Sequence, residues 1–298
     1  MKDLGIVIVN WNTSALLEKC LTSLYQSEGD FTYELVVVDN ASTDDSAERV
    51  AERFPQAQLI CSKENVGYPR GNNLGLRALG FGEVGQTQAD APRYALLLNP
   101  DTELPPTALY EMIRFMDENP EIGIAGPKLI LPDGQLDKAC RRSFPTPLIS
   151  FYHYSGLAKI FPNNPRFARY NMSYCDPDQS IEVDSVVGAY MQLRKEVIEQ
   201  IGLLDEQFFM YGEDLDWAYR AKEKGWKVWY YASVTVYHVK RAASKQSKKA
   251  QSEFYRAMLL FYRKHFEKQT SRPVHYLVLL GILLKGGKGI WKEIRHPS

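Results

Sequence analysis

Short apolar runs alternate with amphipathic stretches in the first half of the chain. Four runs rich in β-branched or continuously apolar residues predict strands: GIVIVN (5–10), ELVVVDN (34–40), AQLICS (57–62) and YALLLNP (94–100). The segments between them, TSALLEKCLTSLYQ, DDSAERVAERF and NNLGLRALG, have an apolar period near 3.6 and predict helices. Strands that alternate with helices indicate βαβ units and a parallel sheet buried on both faces. The first half is therefore predicted to form an α/β domain.

The pattern weakens after Gly126. Residues 132–179 are rich in Pro, Asn and aromatic residues, and their periodicity predicts no element. Further on, SIEVDSVVGAYMQLRKEVIEQIG predicts a strand followed by a helix, and EDLDWAYRAKEKG and KVWYYASVTVYH predict a helix and a strand. Residues 251–266 have the apolar spacing of an amphipathic helix. The run VHYLVLLGILL (274–284) is shorter than the roughly 18 residues of a membrane span and predicts a core or interfacial segment.

The composition is that of a globular protein, because 45% of the 298 residues are hydrophobic and 24% are charged. Its charges are unevenly distributed. From Lys240 to Ser298 there are 14 Lys or Arg and three Glu, which leaves 22 basic and 33 acidic residues before Lys240. A basic tail on an acidic body indicates that the tail contacts phosphates or an anionic membrane surface. Helices packed on the main domain with a solvated basic face are an equally good interpretation.

The cysteines and the N-terminus bear on the compartment. Four cysteines are scattered without the paired spacing of a metal or redox site, which predicts reduced thiols in a cytosolic protein. The segment MKDLGIVIVNWN enters a strand pattern directly, so no signal peptide is expected. We therefore expect a cytoplasmic protein, peripheral on the inner face of the cell membrane if the tail binds lipid.

Polar residues follow three of the predicted strands: Asn10-Trp11-Asn12, Asp39-Asn40 and Asn99-Pro100-Asp101. In open α/β sheets, ligands bind beyond the carboxyl ends of the strands, where these residues are expected. The first turns contain neither Gly-x-Gly-x-x-Gly nor a P-loop motif. A dinucleotide oxidoreductase or a P-loop enzyme is therefore poorly supported.

A second polar cluster is the heptapeptide YGEDLDW (211–217), which has three acids within four positions. Such acids repel each other unless solvent or a cation separates them, and at the start of a helix they gain from the helix dipole. The cluster indicates either a functional site or a solvated acidic first turn.

Six segments together resemble the inverting nucleotide-sugar glycosyltransferases of family 2, and among them the rhamnosyltransferase-like enzymes of cell-surface polysaccharide synthesis. They are IVIVNWN, VVVDNASTDDS, ENVGYPRGNNLGL, LLLNPDTEL, VVGAYMQLRKEV and FFMYGEDLDWAYRAKEKGWKVWYYASVTVYH. The resemblance covers roughly residues 4–240. It implies a GT-A fold, which is a Rossmann-like, mostly parallel mixed sheet with helices on both faces, here followed by a C-terminal helical tail.

The resemblance also implies a division of the chain. Residues 1–240 would form the GT-A domain, with a nucleotide-binding half at about 1–130 and an acceptor-binding half at about 131–240. Residues 241–298 would form a basic helical extension. The expected partners are a UDP- or dTDP-sugar donor and a glycan or lipid-linked acceptor, with no nucleic acid and with peripheral contact to an anionic membrane.

The family's Asp-x-Asp motif, which binds a divalent cation that bridges the donor diphosphate, is represented by Asn99-Pro100-Asp101. Only Asp101 is a carboxylate, and one carboxylate with phosphate oxygens and water suits Mn²⁺ or Mg²⁺. The resemblance implies that His238 completes the metal shell. The alternatives are that Asp101 or Thr102 caps the next helix and that His238 is a surface residue at a strand end.

The resemblance implies that Asp39 accepts the N–H of a uracil or thymine ring, whereas an Asx-turn at a strand end is the structural alternative. Glycines would let the backbone approach the nucleotide, although ordinary loop formation is a rival explanation for each. The other expected nucleotide-binding residues are Asn10, Asn12, Asn65, Gly67, Gly71, Asn72 and Asn99.

The resemblance implies that the general base lies in the pair Glu213–Asp214, with Asp214 favoured. It would take the proton of the acceptor hydroxyl as that oxygen attacks the anomeric carbon, and a single displacement inverts the anomeric centre. The loop that follows His238, KRAAS at 240–244 with Lys240 and Arg241, is further expected to approach the diphosphate as a basic lid. Residues with a tentative role towards the acceptor or sugar are Arg141, Arg142, Gly188, Ala189, Tyr211, Asp216 and Trp217.

Two other classes of function fit parts of the sequence. A nucleotidyltransferase that makes sugar nucleotides also places a metal-binding Asp on a Rossmann-like sheet, but it usually has a Gly-rich basic loop after the first strand, where this chain has NWNTSALLEK. A non-catalytic relative would bind sugars or a partner without turnover. Intact Asp39, Asp101, Asp214 and His238 argue against loss of the site.

Overall fold

The computed structural model describes residues 1–239 and 248–295. The predicted lid residues Lys240 and Arg241 lie outside this part of the chain. The described strands are β1 Leu4–Asn10, β2 Tyr33–Asp39, β3 Gln58–Cys61, β4 Tyr94–Leu98, β5 Thr102–Glu103, β6 Ile122–Ile130, β7 Ile181–Val183, β8 Tyr190–Arg194 and β9 Lys227–His238. The α-helices are α1 Ser14–Tyr25, α2 Ser46–Arg53, α3 Tyr68–Ala78, α4 Ala108–Glu118, α5 Pro147–Tyr154, α6 Leu157–Ile160, α7 Lys195–Ile201, α8 Glu213–Glu223, α9 Lys248–His265, α10 Arg272–Gly286 and α11 Lys288–Arg295.

The described strands form one mixed sheet in the order β3-β2-β1-β4-β8-β6-β9-β5, and β7 pairs with β9. Strands β3, β2, β1 and β4 are parallel, as expected for βαβ units. β8 is antiparallel to both β4 and β6, whereas β6 and β9 are parallel. The α/β prediction is confirmed, and its parallel character is concentrated in the N-terminal half.

Helix α3 lies close to β1 because two glycines face the strand. A Cβ atom on Gly71 would lie 2.8 Å from Cγ1 of Val9, and one on Gly75 would lie 2.4 Å from Cγ1 of Val7. Their spacing of four residues places both glycines on one side of the helix. The sequence pattern predicts this helix from residue 72, but it begins at Tyr68, so its first turn lies at the carboxyl end of the parallel strands.

The region that sequence periodicity left unassigned contains the short helices α5 and α6 and much irregular chain. Side chains rather than a regular ladder hold it. The guanidinium of Arg141 donates to the carbonyls of Asp176 and Cys175 at 2.6 and 2.7 Å, and Asp184 accepts a hydrogen bond from the Phe144 amide at 3.0 Å. These contacts depend on residues distant in sequence, which explains why local periodicity does not predict them.

The C-terminal helices pack on the α/β domain. On α9, Ala257 and Phe261 are buried against Phe208 and Leu215, which precede and begin α8. The opposite side of α9 packs through Leu259 on α10 and α11. None of the helices in residues 1–239 and 248–295 combines the length and apolar character needed to cross a bilayer. The apolar run at 274–284 instead lies within α10.

Candidate active site

A cleft of about 940 Å³ opens beyond the carboxyl ends of β1 and β4 and against the start of α8. It brings together residues from both of the polar clusters that the sequence singled out. The expected site residues that line it are Asn65, Gly67, Asn99, Asp101, Arg142, Gly188, Ala189, Tyr211, Glu213, Asp214 and His238. The strand-end carboxylate Asp101 and the helix-borne acids Glu213 and Asp214 therefore share one cavity.

Asp101 and His238 come together through a short antiparallel ladder. Thr102 on β5 pairs with His238 on β9, and the Val239 amide donates to the Asp101 carbonyl at 2.9 Å. Nε2 of His238 lies 3.4 Å from Oδ1 of Asp101, and its Nδ1 lies 3.0 Å from Oδ2 of Asp137. The imidazole is thus oriented by one buried carboxylate and directed at another.

The two carboxylates change the charge of the histidine. Burial favours the neutral imidazole, but hydrogen bonds and charge attraction from Asp101 and Asp137 outweigh burial and raise the pKa of His238 to about 9. In the absence of a cation, His238 is therefore an imidazolium that neutralises part of the negative charge at the end of β4.

The donor set at this point fits a hard divalent cation with two protein ligands. A histidine whose second nitrogen is bound to a carboxylate is the usual arrangement of a metal-ligating imidazole. No group of three or more His, Cys, Asp or Glu side chains in the described ranges is arranged to hold a metal ion alone. Mg²⁺ and Mn²⁺ fit this arrangement, because they take their remaining ligands from phosphate oxygens and water.

Asp214 is held by a buried ion pair. Its Oδ2 lies 2.6 Å from Nη2 of Arg142 and accepts the Gly188 amide at 3.1 Å. Its Oδ1 accepts the Leu215 amide at 2.7 Å. Arg142 also donates to the Val186 carbonyl at 3.2 Å. These contacts fix the position of the Asp214 carboxylate and compensate its charge where it is almost removed from solvent.

The neighbouring acid Glu213 is compensated less well, because a backbone hydrogen bond and the charge of Arg142 do not outweigh its burial. Its Oε2 is buried and has no hydrogen-bond partner among the described residues. Burial, and after it the charge of Asp214, raise the pKa of Glu213 to about 8. At neutral pH the pair therefore consists of a protonated Glu213 beside an arginine-paired Asp214. Two adjacent acids with such different surroundings are suited to different tasks.

The nucleotide side of the site contains a network of asparagines. Asn40 donates to Oδ1 of Asn65 at 3.1 Å and to the Gly67 carbonyl at 3.2 Å, and its own Oδ1 accepts the Val66 amide at 2.9 Å. Gly67 is the N-cap residue of α3 and adopts a φ of +87°. Its carbonyl accepts from Asn40, and its amide donates to Oδ1 of Asn65 at 3.0 Å. The network links the ends of β2 and β3 to the first turn of α3.

Several expected nucleotide-binding residues stand beside the cleft without lining it. Asp39 accepts hydrogen bonds from the Ser42 amide at 3.0 Å and from Asn10 at 3.3 Å. Asn12 accepts the Thr43 amide at 2.7 Å. The contact with the Ser42 amide is that of an Asx-turn, which was the alternative to pyrimidine binding. The contact with Asn10 joins the ends of β1 and β2.

Gly71 and Asn72 are buried behind the cleft wall. Gly71 faces Val9 on β1, so its lack of a side chain is explained by helix–strand packing. Asn72 donates to the Tyr68 carbonyl one turn earlier at 2.9 Å. For both residues, the structure gives a role in positioning α3.

Three of the tentative acceptor residues lie away from the cleft. The guanidinium of Arg141 binds two carbonyls and lies 5.3 Å from the ring centroid of Tyr230. Asp216 binds Arg220, Lys264 and His265, which attach α9 to α8. Trp217 is fully buried and donates from Nε1 to the Gly202 carbonyl at 2.9 Å. These three side chains miss the cleft because they are one to three positions from Arg142 or Asp214, and neighbouring side chains point to different sides of a strand or helix.

Strained backbone is concentrated around the cleft. The described non-glycine residues with positive φ are Asn12, Ala41, Met172 and Tyr211. Tyr211 lines the cleft with a φ of +71°, and each of the other three is next to a residue that lines it. Such conformations cost of the order of 1–3 kcal/mol each and cluster at functional sites.

Sequence reasoning missed part of the site. Asp137, which orients His238, lies in the unassigned region, where its spacing from Arg141 and Arg142 gave no signal. Tyr68 lines the cleft and donates to the Gly188 carbonyl at 2.8 Å. The C-terminal extension also contributes a wall, since Phe254 and Met258 on α9 line the cleft. The helical period of 251–266 predicts that Phe254 and Met258 face the protein, but it does not predict that they line a cavity.

Comparison with known proteins supports a common ancestry with sugar-transferring enzymes. The chain is 28% identical over 239 residues to N-acetylglucosaminyl-diphospho-decaprenol L-rhamnosyltransferase of Mycobacterium tuberculosis, which covers 80% of this chain and 76% of the relative. It is 29% identical to low-salt glycan biosynthesis hexosyltransferase Agl10 of Haloferax volcanii over 75% of this chain and 63% of the relative.

Two solved structures share the fold. TarS of S. aureus superposes with a TM-score of 0.56 at 15% identity, over 95% of this chain and 43% of that one. GalNAc-T7, determined with UDP, GalNAc and Mn²⁺, superposes with a TM-score of 0.60 at 14% identity, over 88% and 50%. This chain therefore spans about half the length of these two proteins. The likeness confirms the predicted GT-A fold.

A family model matches most of the chain, from residue 2 to residue 254. The match includes the α/β sheet, most of the residues that line the cleft and the first residues of α9. The chain therefore belongs to the family described as glycosyltransferase like family 2.

Proposed function

We propose that this protein transfers a sugar from a UDP- or dTDP-sugar to a hydroxyl group of a glycan or lipid-linked acceptor, with inversion at the anomeric carbon. The observation that carries the proposal is the shared cleft, which is lined both by Asp101 and His238 and by Glu213 and Asp214. The two relatives, one a rhamnosyltransferase and the other a hexosyltransferase of glycan synthesis, support the reaction class and a role in cell-surface polysaccharide synthesis.

On the donor side, Asp101 and His238 would hold Mn²⁺ or Mg²⁺. When bound, the cation supplies charge stabilisation for the departing nucleoside diphosphate. Asp137 keeps His238 in one orientation through the 3.0 Å contact to Nδ1. Asn65 and Gly67 would contact the nucleotide. The Asp39 carboxylate would accept the N–H of the pyrimidine ring in place of its present hydrogen bond from the Ser42 amide.

On the acceptor side, we assign the general base to Asp214. The acceptor oxygen attacks the anomeric carbon as the bond from that carbon to the diphosphate oxygen breaks, and the acceptor proton passes to the Asp214 carboxylate. Arg142 and the Gly188 amide hold that carboxylate in position. Protonated Glu213 adds no second negative charge beside it. No covalent sugar–enzyme intermediate is needed.

The lipid-linked character of the acceptor is suggested by the name of the mycobacterial relative, which contains N-acetylglucosaminyl-diphospho-decaprenol. The cleft is consistent with an amphiphilic acceptor, because one of its walls consists of Tyr154 on α5 and Phe254 and Met258 on α9. An acceptor of this kind would require the enzyme to work at a membrane surface.

The test is incubation of the purified protein with UDP- and dTDP-sugars, Mn²⁺ and candidate acceptors. We expect release of nucleoside diphosphate together with a glycosylated acceptor of inverted anomeric configuration. Release of pyrophosphate would indicate a nucleotidyltransferase, and no release with any donor, despite nucleotide binding, would indicate a non-catalytic relative. A retained anomeric configuration would contradict the single displacement.

A further inference from the structure

Helix α10 presents an apolar surface to solvent. Tyr276, Leu277, Leu280 and Leu284, here called the α10 stripe, are 67%, 66%, 49% and 75% exposed. Their spacing places them along one side of the helix. A contiguous exposed apolar patch of this kind is uncommon in a soluble domain unless something binds it.

The orientation of α10 is fixed by the rest of the chain. Ile282, on the opposite side from the stripe, is 6% exposed and packs with Leu259 on α9 and Ile290 on α11. Arg263 on α9 donates to the carbonyls of Glu293 and Ile294, which attaches α11 to the same unit. The stripe therefore faces outward because α10 already has a buried side.

Exposed basic and aromatic residues accompany the stripe on α10 and α11. Arg272 and Lys285 stand exposed in the first and last turns of α10, and Lys292 and Arg295 stand exposed on α11. Trp291 is 42% exposed and lies 4.3 Å, from ring centroid to guanidinium carbon, below Arg295. Residues 248–295 contain 11 Lys or Arg and three Glu. This excess of positive charge would repel a second copy of the same face and attract an anionic surface.

We propose that the α10 stripe docks on the surface of an anionic lipid bilayer. The helix would lie in the plane of the interface, with its tyrosine and leucines among the headgroups and upper acyl chains. The exposed basic residues of α10 and α11 would contact the lipid phosphates. Its 15 residues suit a helix that lies on the surface rather than one that spans the bilayer.

This inference deepens the proposed function, on which its biological purpose rests. Helix α9 joins the two surfaces, since it packs on α10 through Leu259 and lines the cleft with Phe254 and Met258. A docked α10 would therefore hold the acceptor wall of the cleft close to the membrane. A lipid-linked acceptor would then reach the cleft from the bilayer.

The test is sedimentation of the full-length protein with vesicles, without any substrate. We expect binding to vesicles of phosphatidylcholine with phosphatidylglycerol, weaker binding to phosphatidylcholine alone, and loss of binding at high salt. The double variant Leu277→Glu/Leu280→Glu should bind the mixed vesicles at least about tenfold more weakly. The control is Val84→Glu, because Val84 is 62% exposed in the loop between α3 and β4 and should leave binding unchanged.

Three outcomes would overturn the inference: no vesicle binding by the wild type, equal binding by the double variant, or equal loss in the Val84→Glu control. Light scattering without lipid provides a further check, since a dimer that the same double substitution dissociates would assign the stripe to a second copy. Sugar transfer to a soluble acceptor is measured separately. If the protein binds vesicles but transfers no sugar, the proposed function is refuted and the membrane-docking inference stands. If it transfers sugar but does not bind vesicles, only the membrane-docking inference is refuted.

Discussion

Nη2 of Arg142 lies 2.6 Å from Oδ2 of Asp214, in an ion pair that is almost completely removed from solvent. The pair joins the irregular region before α5 to the first turn of α8. It makes Arg142 a positioning residue for the proposed base. The two residues are 72 positions apart in the sequence.

Replacing Arg142 should therefore slow turnover more than it weakens substrate binding. In Arg142→Ala, the buried Asp214 carboxylate loses its counter-ion and its fixed position, so we expect kcat to fall by about tenfold or more with a smaller change in KM. Arg142→Lys should restore part of the loss because it keeps the charge. An equal loss in both variants, together with a lower free energy of unfolding, would indicate a purely structural role.

Glu213 provides a test of which acid is the base. Because its pKa is raised to about 8, Glu213 is protonated below that pH and ionised above it. If Asp214 is the base, Glu213→Gln should keep most of the wild-type kcat/KM both below and above pH 8. If activity instead rises through pH 8 and Glu213→Gln is inactive throughout, the base is Glu213. Asp214→Asn should lose roughly 100-fold or more in kcat while it still binds donor.

The proposed metal ligands can be tested by nucleotide binding. Asp101→Ala should weaken the binding of UDP or dTDP in the presence of Mn²⁺. Loss of a residue that only orients a metal ligand, as Asp137 would, costs roughly 10- to 100-fold in metal affinity, and loss of the ligand Asp101 should cost at least as much. Binding in EDTA should be unchanged, because Asp101 contacts the nucleotide only through the cation. The control is Glu103→Ala, an exposed acid two positions further on β5. Equal weakening in both conditions would mean that Asp101 has a structural role.

Asp216 should contribute to stability rather than to chemistry. Although burial opposes its charge, contacts with His265, Arg220 and Lys264 lower the pKa of Asp216 to about 2, against an ordinary value of about 3.9. The ionised form therefore stabilises the fold above about pH 4, and this contribution is lost as pH falls from about 4 towards 2.

We expect Asp216→Asn to lower the free energy of unfolding at pH 7 by about 2–3 kcal/mol, measured by urea denaturation. The difference from wild type should shrink as pH falls through that window. Glu223→Gln, a substitution of an exposed acid on the same helix, should leave stability nearly unchanged. A difference for Asp216→Asn that stays constant with pH would contradict the assigned ion pairs.

Much of this protein follows from its sequence alone. Continuous apolar runs such as LGIVIVN can be buried only as strands covered on both faces, and the 3.6-residue periods between them specify the covering helices. Polar residues at strand ends must then meet at one edge of the sheet. The pattern alone therefore predicts Asp101 at that edge. The metal-binding roles of Asp101 and His238 and the general base in the acid cluster of α8 were expected from the resemblance to family 2 glycosyltransferases.

The tertiary structure decided which neighbours share the site. Arg141 and Arg142 are adjacent in sequence, but extended backbone sends one to the carbonyls of 175 and 176 and the other to Asp214. Asp137 meets His238 across 101 residues, and α9 forms a wall of a cleft that begins at the end of β1. Such contacts between distant segments leave no local periodicity, so the chain specifies them only through the packing of the whole fold.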